Sequence, residues 1–115
     1  MSVRIYHNPR CSKSRATLAL LEERAIEPEV IRYLEQPPTA DELRRLLTLL
    51  DIPARDLLRT SEAEYKELGL ADTSLDEAAL VNAMVKHPKL IERPIVVANG
   101  KAAIGRPPEA VLAVL

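Results

Sequence analysis

The chain contains a single cysteine, Cys11, in a setting that suits thiol chemistry. The residues before it read as a strand and those after it as a helix, so Cys11 is predicted to lie at a helix N-terminus. Unpaired amides and the positive end of the helix dipole lower the pKa of a thiol there, and Arg10, Lys13 and Arg15 add positive charge. Cys11 is therefore predicted to be a thiolate nucleophile. The alternative interpretation is a small buried hydrophobic residue, as many lone cysteines are.

The loop around Cys11 is also a candidate oxyanion site. Backbone amides of residues 12–15 would point toward a group held at the sulfur, and Ser14 could add a hydroxyl donor. Ser12 or Ser14 could equally serve only to cap the helix. His7 is either a proton partner for Cys11 or a histidine at the end of a strand, and its spacing slightly favours the second interpretation.

Three arginines lie at predicted boundaries between elements, namely Arg59, Arg93 and Arg106. The guanidinium group presents a planar fork of donors that suits a tetrahedral oxyanion. Taken singly, each arginine is expected to be a solvated surface charge, so a site exists only where they converge in space.

Composition excludes several classes of protein. With 115 residues the chain is predicted to form one domain, residues 1–115, and its lone cysteine excludes an internal disulfide or a multi-thiolate metal site. No metal-ligand spacing and no glycine-rich nucleotide loop are present. Three tyrosines as the whole aromatic content and a net charge of −1 argue against nucleic acid. No apolar run approaches a membrane span and no signal segment is visible, which predicts a cytoplasmic protein.

Elements at the two ends of the chain are predicted to form an α/β core. Strands at 3–7 and 29–34 flank a helix at 12–24, a β-α-β unit whose strands should be parallel. A buried strand at 94–98 is followed by Asn99-Gly100, the two-residue signal of a hairpin, and by a returning strand at 101–104. Pro107-Pro108 then opens a last helix whose apolar stripe is predicted at Pro108, Val111, Leu112 and Leu115. In the first helix the predicted apolar face holds Leu18, Leu21 and Ala25.

Residues 39–87 are predicted to be a block of about four helices inserted into this core. Leucines at helical spacing predict an amphipathic stripe of Leu43, Leu46, Leu47 and Leu50. Three capping boxes mark helix starts at Thr39 with Glu42, Ser61 with Glu64, and Ser74 with Glu77.

Three stretches and the order of elements together resemble the ArsC family, the glutaredoxin-linked arsenate reductases. The stretches are HNPRCSKSRATL at 7–18, LLRTSEAEYKELGL at 57–70 and HPKLIERPIVVANGKAAIGRPPEAVL at 87–112. The resemblance covers essentially the whole chain and is strongest to the short YfgD-like branch. It implies a thioredoxin-like α/β fold with a four-stranded mixed sheet, in which the helical block is an insertion.

The resemblance also assigns roles to particular residues. Cys11 matches the catalytic cysteine, and Arg59, Arg93 and Arg106 match the arginines that surround the oxyanion. His7 and Ser14 match positions that lower the thiol pKa and hydrogen-bond the thiolate, and Pro94 matches the cis-proline that faces the cysteine.

The chemistry implied by the resemblance is reduction of arsenate to arsenite by a monomer, with glutathione as co-substrate, glutaredoxin as partner and no tightly bound cofactor. One cysteine suffices because the other thiols come from outside the chain. The phosphatase-like reductases close a Cys-x-x-x-x-x-Arg loop, and Thr17 stands at that arginine position, which excludes that class.

Two other functions remain open on this resemblance. Spx-type transcription regulators share the fold and bind RNA polymerase. Many of them carry a Cys-x-x-Cys switch, and in this sequence Ser14 stands in place of the second cysteine. A thiol-redox protein without arsenate turnover is the third possibility. Neither function requires the three arginines.

Overall fold

The computed structural model describes residues 2–115, so that Met1 of the predicted domain 1–115 lies outside the described residues. Residues 2–36 and 93–115 form one unit, here called the sheet unit, and residues 37–92 form the helical unit. The elements in chain order are β1 (Val3–Tyr6), α1 (Ser12–Glu23), β2 (Glu29–Ile31), α2 (Ala40–Leu50), α3 (Ala54–Leu57), α4 (Ala63–Glu67), α5 (Glu77–Lys86), a 3₁₀ helix (Pro88–Leu90), β3 (Ile95–Ala98), β4 (Lys101–Ile104) and a second 3₁₀ helix (Pro108–Val114).

The four strands form one mixed sheet in the order β2-β1-β3-β4. β1 runs parallel to β2 and antiparallel to β3, and Ile5 is the partner of Val30 on one side and of Val96 on the other. β3 and β4 form the antiparallel hairpin, in which Asn99 and Gly100 have φ values of 55° and 71°, the positive values that a type I′ turn needs. The predicted mixed sheet, parallel β-α-β pair and hairpin are confirmed.

The core of the sheet unit lies where α1 and the second 3₁₀ helix pack on the sheet. Leu21 of α1, Ile5, Val96 and Val111 are fully buried in this cluster. Burying these aliphatic side chains stabilises the fold by about 1.5–3 kcal/mol each. The core therefore fixes α1, and with it the Cys11 loop, against β1.

The predicted apolar stripe of the last helix is wrong in part because the segment is a 3₁₀ helix. Three residues per turn place Val111 and Val114 on one face, and both are buried. Leu112 and Leu115, the two leucines predicted on that face, are both half-buried, and Leu115 packs against the core cluster.

The predicted apolar face of α1 also needs correction. The buried residues are Ser14, Thr17 and Leu21, and Leu18 is half-buried. Ala25, predicted on the apolar face, lies beyond the helix end, is exposed and has φ +60°. The amide of Ile26 donates to the Leu21 carbonyl (3.0 Å), which closes the helix end around Ala25.

Three strand boundaries differ from the predictions. β1 ends at Tyr6, one residue before the predicted end at His7, and β3 begins at Ile95, one residue after Pro94. β2 ends at Ile31, three residues early, because the amides of residues 35 and 36 both donate to the Arg32 carbonyl and turn the chain.

In the helical unit the leucine stripe predicted for α2 is confirmed at three positions. Leu43, Leu46 and Leu47 are buried, and the fourth, Leu50, is half-buried. The Thr39 hydroxyl accepts from the Glu42 amide (3.1 Å), the cap predicted for this helix.

The other two predicted capping boxes are wrong. α4 begins at Ala63 with Glu62, not Ser61, at the cap position. α5 is capped by Asp76, whose carboxylate accepts from the Ala79 amide (2.9 Å). Glu77 has a long-range partner instead, since both of its carboxylate oxygens accept from the Ala54 amide at the start of α3.

Within residues 2–115, no helix combines the length and apolar character that crossing a membrane requires.

Candidate active site

Cys11 is the residue that caps α1, and a tight turn after β1 holds it there. Its backbone is extended (φ −93°, ψ 124°), and its carbonyl accepts from the Arg15 amide (3.0 Å) as the first helical hydrogen bond. The Cys11 amide donates to the Asn8 carbonyl (3.0 Å), and the Asn8 side-chain oxygen accepts from the Arg10 amide (3.0 Å). The predicted position of Cys11 at a helix N-terminus is confirmed.

Two of the three predicted arginines reach the thiol. Arg106 Nη2 lies 3.6 Å from Cys11 Sγ, and Arg106 Nε donates to the Arg93 carbonyl (2.9 Å). The Arg93 side chain also hydrogen-bonds the thiol. Two guanidinium groups therefore contact the Cys11 thiol, although Arg93 and Arg106 follow Cys11 by 82 or more positions in the sequence.

The pKa of the Cys11 thiol is lowered by its surroundings. Partial burial raises the pKa, since a thiolate is less well solvated there, but the Ser14 amide, the Arg93 guanidinium and the Lys13 amide outweigh it in that order. The helix-end amides are the donors that the sequence predicts for an activated thiol, whereas the basic group is Arg93 and not the predicted Arg10, Lys13 or Arg15 side chain. Cys11 thus carries more thiolate at neutral pH than an ordinary cysteine does.

His7 and Ser14 form a buried pair beneath the loop. His7 Nδ1 and Ser14 Oγ are 2.6 Å apart, and Ser14 Oγ also accepts from the Asn8 amide (3.0 Å). Burial lowers the pKa of His7, and the charges of Arg32 and Arg15 lower it further. A neutral imidazole follows, so His7 acts on the loop through its hydrogen bond to Ser14 rather than as a positive charge.

Pro94 and Gly105 bring β3 and β4 up to the active-site helix. The Arg93–Pro94 peptide bond is cis, the state that the resemblance implies for this proline, and the Arg106–Pro107 bond is cis as well. The Gly105 amide donates to the Pro94 carbonyl (2.9 Å). A Cβ on Gly105 would collide with Thr17 Oγ1 of α1 and lie 2.8 Å from Pro94 Cγ, so this close approach requires glycine.

Sequence reasoning missed Gly105 and Thr17. The signal available for Gly105 was a glycine directly before Arg106, at the end of a strand, where close backbone approach is a common reason for glycine. Thr17 is fully buried, and its hydroxyl donates to the Lys13 carbonyl (2.8 Å).

Arg59 lies in the helical unit, where two carboxylates hold it. Its Nη1 donates to Glu92 (3.0 Å), its Nε lies 3.4 Å from Glu62, and its side chain is 17% exposed. The Arg59 amide donates to the Leu90 carbonyl (2.8 Å), which fixes the backbone as well. Glu62 and Glu92 were not singled out from the sequence, because their role depends on this pairing. The oxyanion role of Arg59 stays a prediction.

The sheet unit thus brings together a thiol of lowered pKa, the amides at the start of α1 and two guanidinium groups. The same unit contains the cis-proline Pro94. A thiolate so placed can attack an electrophile that carries negative charge, since the surrounding donors attract the anion and the sulfur supplies the electron pair. The fold and site define a protein of thioredoxin-like architecture with a thiol of lowered pKa at the start of α1.

Comparisons with known proteins identify the family. The model of the ArsC family matches residues 6–114. The chain is 64% identical to the uncharacterized protein YfgD of Escherichia coli over 114 residues, covering 98% of this chain and 96% of that protein. It is 54% identical to an arsenate reductase of Neisseria meningitidis, with 98% and 97% covered. This protein belongs to the ArsC family.

A solved structure supports the same family. An arsenate reductase from Vibrio cholerae superposes with a TM-score of 0.98 at 59% identity, and the match covers 100% of this chain and 98% of that one.

Among the sequence relatives, an arsenate reductase of Escherichia coli is longer, since the match at 46% identity covers 99% of this chain but 81% of that protein. The expected thioredoxin-like fold and the similarity to the short YfgD-like branch are confirmed.

Proposed function

We propose that this protein reduces arsenate to arsenite through the Cys11 thiolate, with glutathione and glutaredoxin as the sources of reducing thiols. The observation that carries the proposal is the convergence of Arg93 and Arg106 on Cys11, with Arg106 Nη2 3.6 Å from the sulfur. Arsenate is a tetrahedral oxyanion, and the guanidinium fork is a good match for it. The relatives named arsenate reductases at 54% and 46% identity support the same substrate.

The first step is attack of the Cys11 sulfur on arsenic. An S–As bond forms, an As–O bond breaks, and the departing oxygen leaves as water after protonation. The Ser14 and Lys13 amides, which hydrogen-bond the sulfur in the structure, stabilise the thiolate that attacks. Arg93 and Arg106 neutralise the charge of the incoming oxyanion, which would otherwise repel the thiolate.

Reduction then needs two thiols from outside the chain. Glutathione adds to arsenic, and the glutaredoxin thiol attacks the glutathione sulfur, so that arsenic(V) gains two electrons and one mixed disulfide forms. Water then adds to arsenic(III) as the S–As bond breaks, so that arsenite leaves and Cys11 returns to the thiolate. The single cysteine of the sequence supports this scheme, because the chain has no second thiol to close an internal disulfide.

The remaining residues have supporting roles in the proposal. Arg59 is the third oxyanion donor, and Glu62 and Glu92 fix its guanidinium group. Ser14 hydrogen-bonds the thiolate, and the neutral His7 orients the Ser14 hydroxyl from 2.6 Å. Pro94, directly before the start of β3, closes the site on that side.

A coupled assay tests the proposal. Purified protein is mixed with arsenate, glutathione, glutaredoxin and an NADPH-linked regenerating system, and NADPH consumption is followed. We expect turnover that depends on arsenate, glutathione and glutaredoxin and disappears in Cys11→Ser. Arg24→Gln, at an exposed arginine at the end of α1, should retain activity, whereas Arg106→Gln should lose most of it.

Turnover no greater than that of Cys11→Ser would contradict the enzyme proposal. The regulatory or thiol-redox interpretation would then be favoured, and a mixed disulfide of Cys11 with glutathione, seen by mass spectrometry without arsenate dependence, would identify the latter.

A further inference from the structure

Beside the Cys11 loop the sheet unit carries a cleft of about 250 Å³. One wall is the end of β1 and the turn after it, with His7, Asn8 and Arg10, and the facing wall is the turn after β2, with Arg32 and Glu35. The active site described above involves the second wall only through the charge of Arg32, which lowers the pKa of His7.

Backbone hydrogen bonds fix both walls of the cleft. The His7 amide donates to the Ile31 carbonyl (2.8 Å), which ties the end of β1 to the end of β2. The amides of Glu35 and Gln36 donate to the Arg32 carbonyl at 2.9 and 2.8 Å, which holds the second turn closed. The cleft is therefore preformed, as binding sites for small molecules usually are.

The charged groups on the cleft walls are not used elsewhere in the fold. The side chains of Arg10, Arg32 and Glu35 take part in none of the ion pairs formed within residues 2–115. Leu34, on the same wall as Arg32, is 40% exposed. Two cations, one anion and a short apolar surface thus face a concave space, and this set suits a ligand with two anionic groups and one cationic group.

We propose that this cleft binds glutathione, an inference that rests on the proposed function, in which glutathione is the first thiol to add. Glutathione carries two carboxylates and one ammonium group. Arg10 and Arg32 complement the carboxylates, since the guanidinium fork binds a carboxylate through two parallel hydrogen bonds. Glu35 complements the ammonium group.

The cleft adjoins the loop that carries Cys11, and neither Arg93 nor Arg106 lines it. Asn8 contributes to the cleft wall, and its carbonyl accepts from the Cys11 amide (3.0 Å). In the sheet β1 separates β2 from β3, so the cleft lies on the β2 side of the Cys11 loop. Arg93 and Arg106 flank β3 and β4 on the other side. An arsenic atom on Cys11 would therefore meet the oxyanion donors from one side and the incoming thiol from the other.

The step served by the cleft is the addition of the glutathione thiol to the arsenic bound to Cys11. A second S–As bond forms, a second As–O bond breaks, and the released oxygen leaves as water with the thiol proton. The oxidation state of arsenic does not change in this step, and reduction follows with the glutaredoxin thiol.

Binding of S-methylglutathione tests the proposal directly, because the methylated sulfur cannot form a disulfide or an S–As bond. In an NMR titration of the ¹⁵N-labelled full chain, we expect the largest shifts at residues 7–10 and 31–36. Arg32→Gln should weaken binding on the order of tenfold, the effect of losing one charge-assisted contact. Arg24→Gln, an identical change at an exposed arginine outside the cleft, should leave the dissociation constant unchanged.

Esterification of the ligand tests which groups are recognised. The dimethyl ester of S-methylglutathione lacks both carboxylates and should bind the unaltered protein on the order of tenfold more weakly or worse. Arg32→Gln should discriminate less between the acid and the ester. Shifts centred on β3 and β4, or an unchanged affinity of Arg32→Gln for the acid, would overturn the proposal.

Kinetics separate this site from the proposed function. In the coupled assay Arg32→Gln should raise the KM for glutathione and leave the KM for arsenate unchanged, and equal effects on both would refute the assignment. If the protein shows no arsenate turnover but binds S-methylglutathione in the cleft with dependence on Arg32, the proposed function fails and the glutathione site stands.

Discussion

The sheet unit and the helical unit hold their arginines by different means. In the sheet unit Arg106 donates to a neutral carbonyl, that of Arg93, and lies 3.6 Å from Cys11 Sγ. In the helical unit Arg59 is paired with the carboxylates of Glu62 and Glu92. Carboxylates offset the charge of a guanidinium group, whereas a carbonyl does not. Three arginines that look equivalent in the sequence are therefore differently prepared, since Arg93 and Arg106 contact the thiol and Arg59 is paired with carboxylates.

The largest expected difference between the units is in the free energy of unfolding that is lost when a glycine is replaced by alanine. Gly105→Ala should lower the free energy of unfolding by about 3 kcal/mol, because the added Cβ meets Thr17 and Pro94 in a packed site. Gly69→Ala in the helical unit should cost only about 1 kcal/mol, since Gly69 has φ +64° but nothing within 4 Å of the added Cβ. Urea denaturation of both variants measures the two losses. Equal losses would show that Gly105 is not packed as described.

The thiolate itself gives the next test. Cys11 has a lowered pKa, so its alkylation by iodoacetamide should reach its plateau at a lower pH than that of an ordinary thiol, which titrates near pH 8.5. Arg93→Gln removes a group that lowers the pKa and should shift the rate profile to higher pH. The measurement is the alkylation rate at pH values from about 5 to about 10, a range that brackets the pKa of an ordinary thiol. Arg24→Gln is the matched control, and a profile that Arg93→Gln leaves in place would contradict the role of Arg93.

A smaller effect is expected at the ion pairs of the helical unit. Glu92→Gln should destabilise the protein by about 1 kcal/mol, because Arg59 loses the closer of its two carboxylates in a partly buried place. Glu67→Gln, at an exposed glutamate of α4, should change the stability by a few tenths of a kcal/mol at most. Thermal and urea unfolding provide the values. If the loss persists in an Arg59→Gln background, the pair with Arg59 is not its cause.

The smallest expected effects are gains in stability at two helix ends. Ala25 follows α1 with φ +60°, so Ala25→Gly should stabilise the protein by about 0.5 kcal/mol. Asp51 caps α2 with φ +57°, and Asp51→Gly should gain less because aspartate tolerates this conformation better than alanine. Urea midpoints of the two variants rank the effects. A loss of stability in Ala25→Gly would mean that its methyl group contributes packing.

The sequence was sufficient for features that depend on neighbours along the chain. The leucine spacing of α2, the Thr39 cap and the hairpin at Asn99-Gly100 all follow from local rules, and the structure has each of them. The position of Cys11 between β1 and α1 belongs to the same class. The roles given to distant residues came from the family resemblance rather than from spacing.

Features that depend on contacts across the fold could not be read locally. Ser74 and Glu77 have the spacing of a capping box, yet Glu77 accepts from the Ala54 amide, 23 residues away, and Asp76 takes the cap. The last helix has an ordinary amphipathic spacing, but its seven residues adopt a 3₁₀ geometry. The convergence of Arg93 and Arg106 on the thiol likewise depends on how β3 and β4 pair with β1.

The shortness of β2 has a consequence for how the protein behaves in concentrated solution. As an edge strand of three residues, Glu29–Ile31, it offers another chain few unpaired backbone groups. Pro28 stands directly before it, and the turn at Arg32 ends it. Although Val30 is exposed, ordered stacking needs a flat segment of about six or seven residues. This edge is therefore protected against strand-to-strand aggregation by its length and its ends rather than by the polarity of its side chains.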